Sequence, residues 1–100
     1  IARRDVPNLG PRTWDILHAG MRWAATHGTA KQLDAENRFH VAAKTGTAPH
    51  GQAFQSWLIG YFPFEKPQYA FCVRSPAGTA KDSAVPIAKQ LLFSHDWKRV

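Results

Sequence analysis

Apolar residues recur at helical spacing where Trp14, Leu17, His18, Met21, Ala24 and Ala25 fall on one stripe. Thr13 stands where an N-cap would, Asp15 in the first turn and Gly28 where a helix stops. The pattern predicts an amphipathic helix over about 14–27. The stretch before it, "IARRDVPNLGPR", has prolines, a glycine and no period, and reads as an extended lead-in.

A polar connection, "THGTAKQLDAENR", leads to "FHVAAKTGT", where Phe39, Val41 and Ala43 alternate with His40, Ala42 and Lys44 in strand fashion. "FQSWLIGYFPF" and "QYAFCVRS" follow as two more apolar runs, separated by the turn signal "EKP", and predict a hairpin. Residues 57–62 and 69–73 are nearly continuous in apolar character, which predicts a sheet covered on both faces. After "SPAGTAKDS" the helical period returns: Ala84, Ile87, Ala88 and Leu91 share a face, which can extend to His95. Asp82 or Ser83 can cap that helix, and Pro86 sits in its tolerated first turn. The order is helix, three strands, helix, an α/β arrangement. Two helices are too few to cover both faces of such a sheet, so further strands and helices are expected from a longer parent chain.

Composition narrows the class. One hundred residues, 44% hydrophobic, suit one small globular unit. No apolar run approaches the ~20 residues of a membrane span, and nothing resembles a signal peptide. The single Cys72 has no partner for an internal disulfide, and no Cys/His pair has zinc-ligand spacing, so neither staple supports this small chain. A net charge of +6 would suit a polyanion, but the cations are scattered, with Arg3, Arg4, Lys98 and Arg99 at the chain ends. A solvated basic surface is the simpler reading. A nucleic-acid module would instead set Phe54, Trp57, Tyr61, Tyr69 and Phe71 on one exposed face beside a lysine stripe. The alternation of the strands argues for buried aromatics instead.

The unusual element is "AAKTGTAPH". Lys44 brings a positive charge to an apolar strand, Thr45 and Thr47 bring hydroxyl donors, and Gly46 lets a ligand approach the backbone. Two readings stand for these residues. Lys44 snorkels past a sheet edge while Thr-Gly turns, or the edge receives an anion such as a carboxylate, with an extended substrate added as a further strand.

"KTGTA", then "WLIGYFP", "PQYAFCVRS" and "AVPIAKQLL" in that order resemble the C-terminal part of the transpeptidase domain of penicillin-binding proteins. The helix "WDILHAGMRWAATHGTAKQL", with its Gly-Thr-Ala segment, resembles the family's element ahead of that motif. The likeness runs from residue 13 to about 94. It implies a partial penicillin-binding, serine β-lactamase-like fold, completed by an N-terminal part that this chain does not contain, and it implies no metal or organic cofactor. The family's site rests on S-x-x-K, S-x-N and K-T-G. By resemblance, Lys44, Thr45 and Gly46 are the third motif, with Lys44 organising hydrogen bonds near the S-x-N serine and attracting substrate. Thr45 and Thr47 hydroxyls would hold the terminal carboxylate of a D-alanyl-D-alanine stem peptide or a β-lactam. The Thr47 backbone N–H would be half of the oxyanion hole. Trp57, Gly60 and Tyr61 match a W-x-x-G-Y pattern and are expected to pack behind the site, Gly60 permitting a close approach.

The departure is as informative as the match. Ser56, Ser75, Ser83 and Ser94 are the only serines, none begins S-x-x-K, and no S-x-N occurs. The nucleophile is absent, so this chain alone should be inactive and should need the rest of its transpeptidase domain as partner. Ala48 after "KTGT" and Gly28-Thr29-Ala30 lean toward the monofunctional class B enzymes over class A, with a β-lactamase-like or penicillin-sensing domain third. The resemblance implies an extracytoplasmic location, with any membrane anchor outside this chain. An inactive homologue that only binds partners is the remaining alternative.

Overall fold

In the computed structural model, residues 4, 5, 7–95 and 97 are described. The order is α1 (Pro11–Thr26), a 3-10 turn (Lys31–Asp34), β1 (Ala42–His50), β2 (Ala53–Phe62), β3 (Tyr69–Ser75), a π-helical turn (Ala80–Ala84) and α2 (Val85–Phe93). The strands form one antiparallel sheet in the order β1-β2-β3. Helix, three strands and closing helix are as the periodicity predicts, both strand pairings are antiparallel, and the fold is α/β. Of the terminal cations, Arg3, Lys98 and Arg99 lie outside the described residues.

Three boundaries differ from expectation, each for a local reason. First, α1 starts at Pro11 with Gly10 as its N-cap residue, and Thr13 lies inside it without capping. Proline is favoured in a first turn because its missing N–H would be unpaired there anyway. At the other end Gly28 does not supply a left-handed stop. A side chain there would sit 3.0 Å from the Ala24 Cα, so its role is close approach as the chain turns back.

Second, the strand begins at Ala42, not Phe39. Asp34 is buried, and its carboxylate accepts the backbone N–H groups of Arg38 (2.8 Å), Phe39 (2.9 Å) and His40 (3.0 Å). That cage curls the chain, and Asn37 and His40 take φ values of 55° and 56° that no strand contains. Arg22 closes the curl, donating to the Val41 carbonyl and the Asn37 side chain, each at 2.7 Å.

Third, the cap before α2 is Thr79, whose hydroxyl accepts the Asp82 N–H and donates to the Asp82 carboxylate at 3.1 Å. Asp82 is therefore the reciprocal partner in a capping-box-like pair, neither it nor Ser83 the cap. Pro86 does lie in the first turn of α2. Ile87 is 45% exposed, while Ala84, Val85, Ala88 and Leu92 are buried: the stripe is centred to one side of it. His95 lies beyond α2, its ring facing the Leu91 carbonyl.

Strand register divides the sheet into two faces. Thr45, Leu58 and Val73 align across the strands, as do Ala43, Gly60 and Phe71, and Thr47, Ser56 and Ser75. This face packs under Ala84, Val85, Ala88 and Leu92, with Leu33, Ala25 and Val41 completing the core. Leu58 is fully buried at its centre, and its truncation to alanine would cost about 3 kcal/mol. On the other face Ala42 is buried and Tyr61 meets His18 of α1, but Ile59 is 48% exposed and Cys72 is exposed. The expectation of two covered faces thus holds for one. Continuous apolar runs announce two interfaces, and the described residues supply only one of them in full.

Candidate functional site

Lys44, Thr45, Gly46 and Thr47 lie together on β1, an edge strand, since among the described residues β1 pairs only with β2. The strand is carried into a tight hairpin by Gly51 and Gln52 between paired His50 and Ala53, with Gly51 at φ 63° where a side chain would strain the turn. Side chains alternate along it. Thr45 and Thr47 share the face of the core, Lys44 and Gly46 the opposite one.

Backbone groups alternate too: in an antiparallel ladder every second residue turns its N–H and C=O away from its neighbour strand. The Val41 carbonyl receives Arg22, and the Thr45 carbonyl receives the Lys44 ammonium at 2.5 Å. The outward set therefore contains Val41, Ala43, Thr45 and Thr47. The beginning of this edge is shielded by α1 and the Gly28-Thr29-Ala30 turn, where Thr29 and Thr45 hydroxyls meet at 2.8 Å. Past that point Gly46 and Thr47 are exposed, and Gly46 has nothing near the position of a side chain.

The hydroxyls differ in their partners. Thr45 shares a hydrogen bond with Thr29, in which either oxygen can donate. Thr47 Oγ1 accepts the Ala80 N–H at 3.1 Å, from the first residue of the π-helical turn. Lys44 is exposed and forms no ion pair among the described residues. This edge thus offers a cation that forms no ion pair among the described residues, outward N–H and C=O groups and two hydroxyls along an extended backbone. It can bind an anionic, extended ligand; it contains no nucleophile.

The serines have structural partners or none. Ser75 is buried and bonds to Ser83 and to the Ala77 carbonyl, and Ser94 donates to the Leu91 carbonyl at 3.1 Å. Ser56 is fully buried, and its hydroxyl has no partner among the described residues.

The W-x-x-G-Y residues lie where close packing needs them. A Cβ at Gly60 would stand 2.6 Å from the Phe71 ring and 2.7 Å from the Ala42 carbonyl oxygen, so only glycine admits this approach. Trp57 pairs across from Gly46 and is half-buried. Tyr61 is held by His18, and burial pushes its phenol pKa up. The aromatics do not form a stacking platform: Phe54, Tyr69 and Phe71 share one face, Trp57 and Tyr61 the other.

What the sequence reading missed is the surroundings. The polar connection hides the Asp34 cage and the contact of Thr29 with Thr45, and nothing in its periodicity marks either. A cavity of about 470 Å³ lies beyond the end of the sheet where β2 stops, lined by Phe39, His40, Phe62, Glu65, Tyr69 and Trp97 among others. None of Lys44–Thr47 lines it. His40 and Glu65 share an exposed hydrogen bond there, at 2.7 Å, and it holds the Glu65 carboxyl below its usual range. Among the described residues no cluster of His, Cys, Asp or Glu could hold a metal, and no helix is long and apolar enough to cross a membrane.

Residues 6–92 match the model of the penicillin binding protein transpeptidase domain, and the chain belongs to that family. Among solved structures it is similar to PBP2 of Pseudomonas aeruginosa, crystallised in complex with WCK 5153, at a TM-score of 0.75 and 28% identity. That likeness covers 89% of this chain and 20% of the PBP2 chain, so the present chain spans about one fifth of its relative's length. No curated protein matches it.

Proposed function

We propose that this chain is the C-terminal segment of a peptidoglycan D,D-transpeptidase, of the monofunctional class B, and that β1 is its substrate-binding strand. The observation that carries the reading is the open edge of β1, where Lys44, Gly46 and Thr47 are exposed and Thr47 turns its N–H and C=O outward, in a chain of the transpeptidase family. A serine from the rest of the domain attacks the penultimate D-Ala carbonyl of a stem peptide. The C–N bond breaks, D-Ala leaves with the proton, and an amine of a neighbouring stem displaces the serine from its ester. β-Lactams acylate the same serine.

The residues of the edge divide the work. The Lys44 ammonium attracts the anionic substrate and orders hydrogen bonds near the second-motif serine. Thr45 and Thr47 hydroxyls bind the terminal carboxylate. The Thr47 N–H, already fixed in the strand, stabilises the developing oxyanion without reorganising during the reaction, an effect of about 3 kcal/mol for one such donor. Gly46 keeps the groove open beside the scissile amide. The reaction places the parent protein on the extracytoplasmic side of the membrane.

Mass spectrometry with a labelled penicillin tests this directly. The parent protein should gain a covalent adduct on a serine outside these residues, and separated halves should gain it only when associated. Absence of any adduct on the folded parent would favour an inactive homologue that uses the fold to bind partners. Rapid release of hydrolysed penicillin would favour a β-lactamase.

A further inference from the structure

Thr47 carries one hydroxyl proton, and its direction decides whether the side chain greets an anion as a donor or repels it with lone pairs. Among the described residues the oxygen's one partner is the Ala80 N–H at 3.1 Å, and an amide N–H can only donate. Thr47 Oγ1 is therefore an acceptor toward the core, and its proton must point elsewhere. Ser56, its cross-strand neighbour on the same face, does not take it, since the buried Ser56 hydroxyl has no hydrogen-bond partner among the described residues. What remains for the proton is the open side of β1, where Thr47 is exposed.

We infer that the Ala80 backbone N–H is a positioning group that aims the Thr47 proton at the ligand, and so helps the site to select a carboxylate over a neutral ester. This rests on the reading that Thr47 binds the carboxylate. The amide is itself fixed in place. Thr79 and Asp82 cap the turn reciprocally, Ala80 is 5% exposed, and Ser83 N–H donates to the Thr79 carbonyl at 2.9 Å. A hydroxyl free to rotate would lose part of its donation to orientational disorder; one whose lone pair is already engaged is preset, and the engaged amide strengthens it as a donor. The two threonines then differ. Thr45 can exchange donor and acceptor roles with Thr29, whereas Thr47 is committed to one.

Ala80→Pro removes this N–H in a backbone that suits proline. Ala80 is the first residue of its turn, and Thr79 has φ −74° and ψ 165°, the extended conformation that a residue before proline favours. The measurement is the ratio of acylation rates of the full-length parent with a penicillin and with its methyl ester. Ala80→Pro should lower that ratio roughly fivefold, the scale of one modest hydrogen bond, with the ester rate little changed. Combined with Thr47→Ala, it should lower the ratio no further than Thr47→Ala alone. Equal losses with both compounds, or an unchanged ratio, would overturn the inference, while failure of the unmodified parent to acylate at all would sink the transpeptidase reading instead. If the proline variant does not fold, amide exchange decides: bound penicillin should slow exchange at Ala80 and the bound methyl ester should not. Equal protection by both would overturn it.

Discussion

Two neighbouring stretches treat their polar groups in opposite ways. Around Asp34 a buried carboxylate gathers three backbone N–H groups, and Arg22 takes the next free carbonyl and the Asn37 side chain. Along Gly46 and Thr47 the backbone is exposed, and the Lys44 ammonium beside it reaches only its own strand. The first arrangement is closed, and its polar groups stabilise the chain because each has an internal partner. The second is open, and its donors are available to something else. The cage supports the open edge mechanically, since it sets where β1 begins.

The largest effect should come from opening the closed region. Asp34→Ala leaves three amides in a buried site without acceptors, which should destabilise the parent by about 3 kcal/mol, read as a lowered urea midpoint. A loss under about 1 kcal/mol would mean that water satisfies those amides. Lys44→Ala should show the reverse signature, an unchanged midpoint with acylation by penicillin slowed about 100-fold, the scale of a lost electrostatic contact to the reacting centre. Unchanged acylation would remove Lys44 from the site.

Gly60→Ala probes the packing behind the edge. The added methyl meets a backbone carbonyl as well as the Phe71 ring, so a loss of about 2 kcal/mol is expected in the denaturation curve. Thr47→Val should be milder in its effect on acylation, about fivefold, because the backbone donor survives. A loss as large as that of Lys44→Ala would place the important atom of Thr47 in its side chain.

The smallest effect belongs to Glu65. Its pKa is depressed by the His40 hydrogen bond, so the unfolded chain takes up the proton first as pH falls. The stability it contributes is complete above the ordinary glutamate range and is lost as pH drops through its lower folded value. Glu65→Gln should flatten the acid limb of the stability profile slightly, and both residues are exposed, so salt should weaken the difference further. An unchanged acid limb would show that the pair contributes nothing.

The sequence alone determined the element order, the hairpin of the last two strands, the strand that carries Lys44 to Thr47, the need for glycine at position 60 and the family. Those features are local: period, turn residues and a short ordered motif are readable without neighbours. Tertiary structure decided what no period encodes. Asp34 reads as one more polar residue in a polar connection until three amides converge on it, and Phe39 reads as strand until that convergence bends the chain. The partner of each threonine was likewise invisible, because Thr29 and Ala80 reach β1 only through folding. Hydrogen bonding between distant segments depends on where backbone groups end up in space, and residue identity along the chain carries almost none of that information.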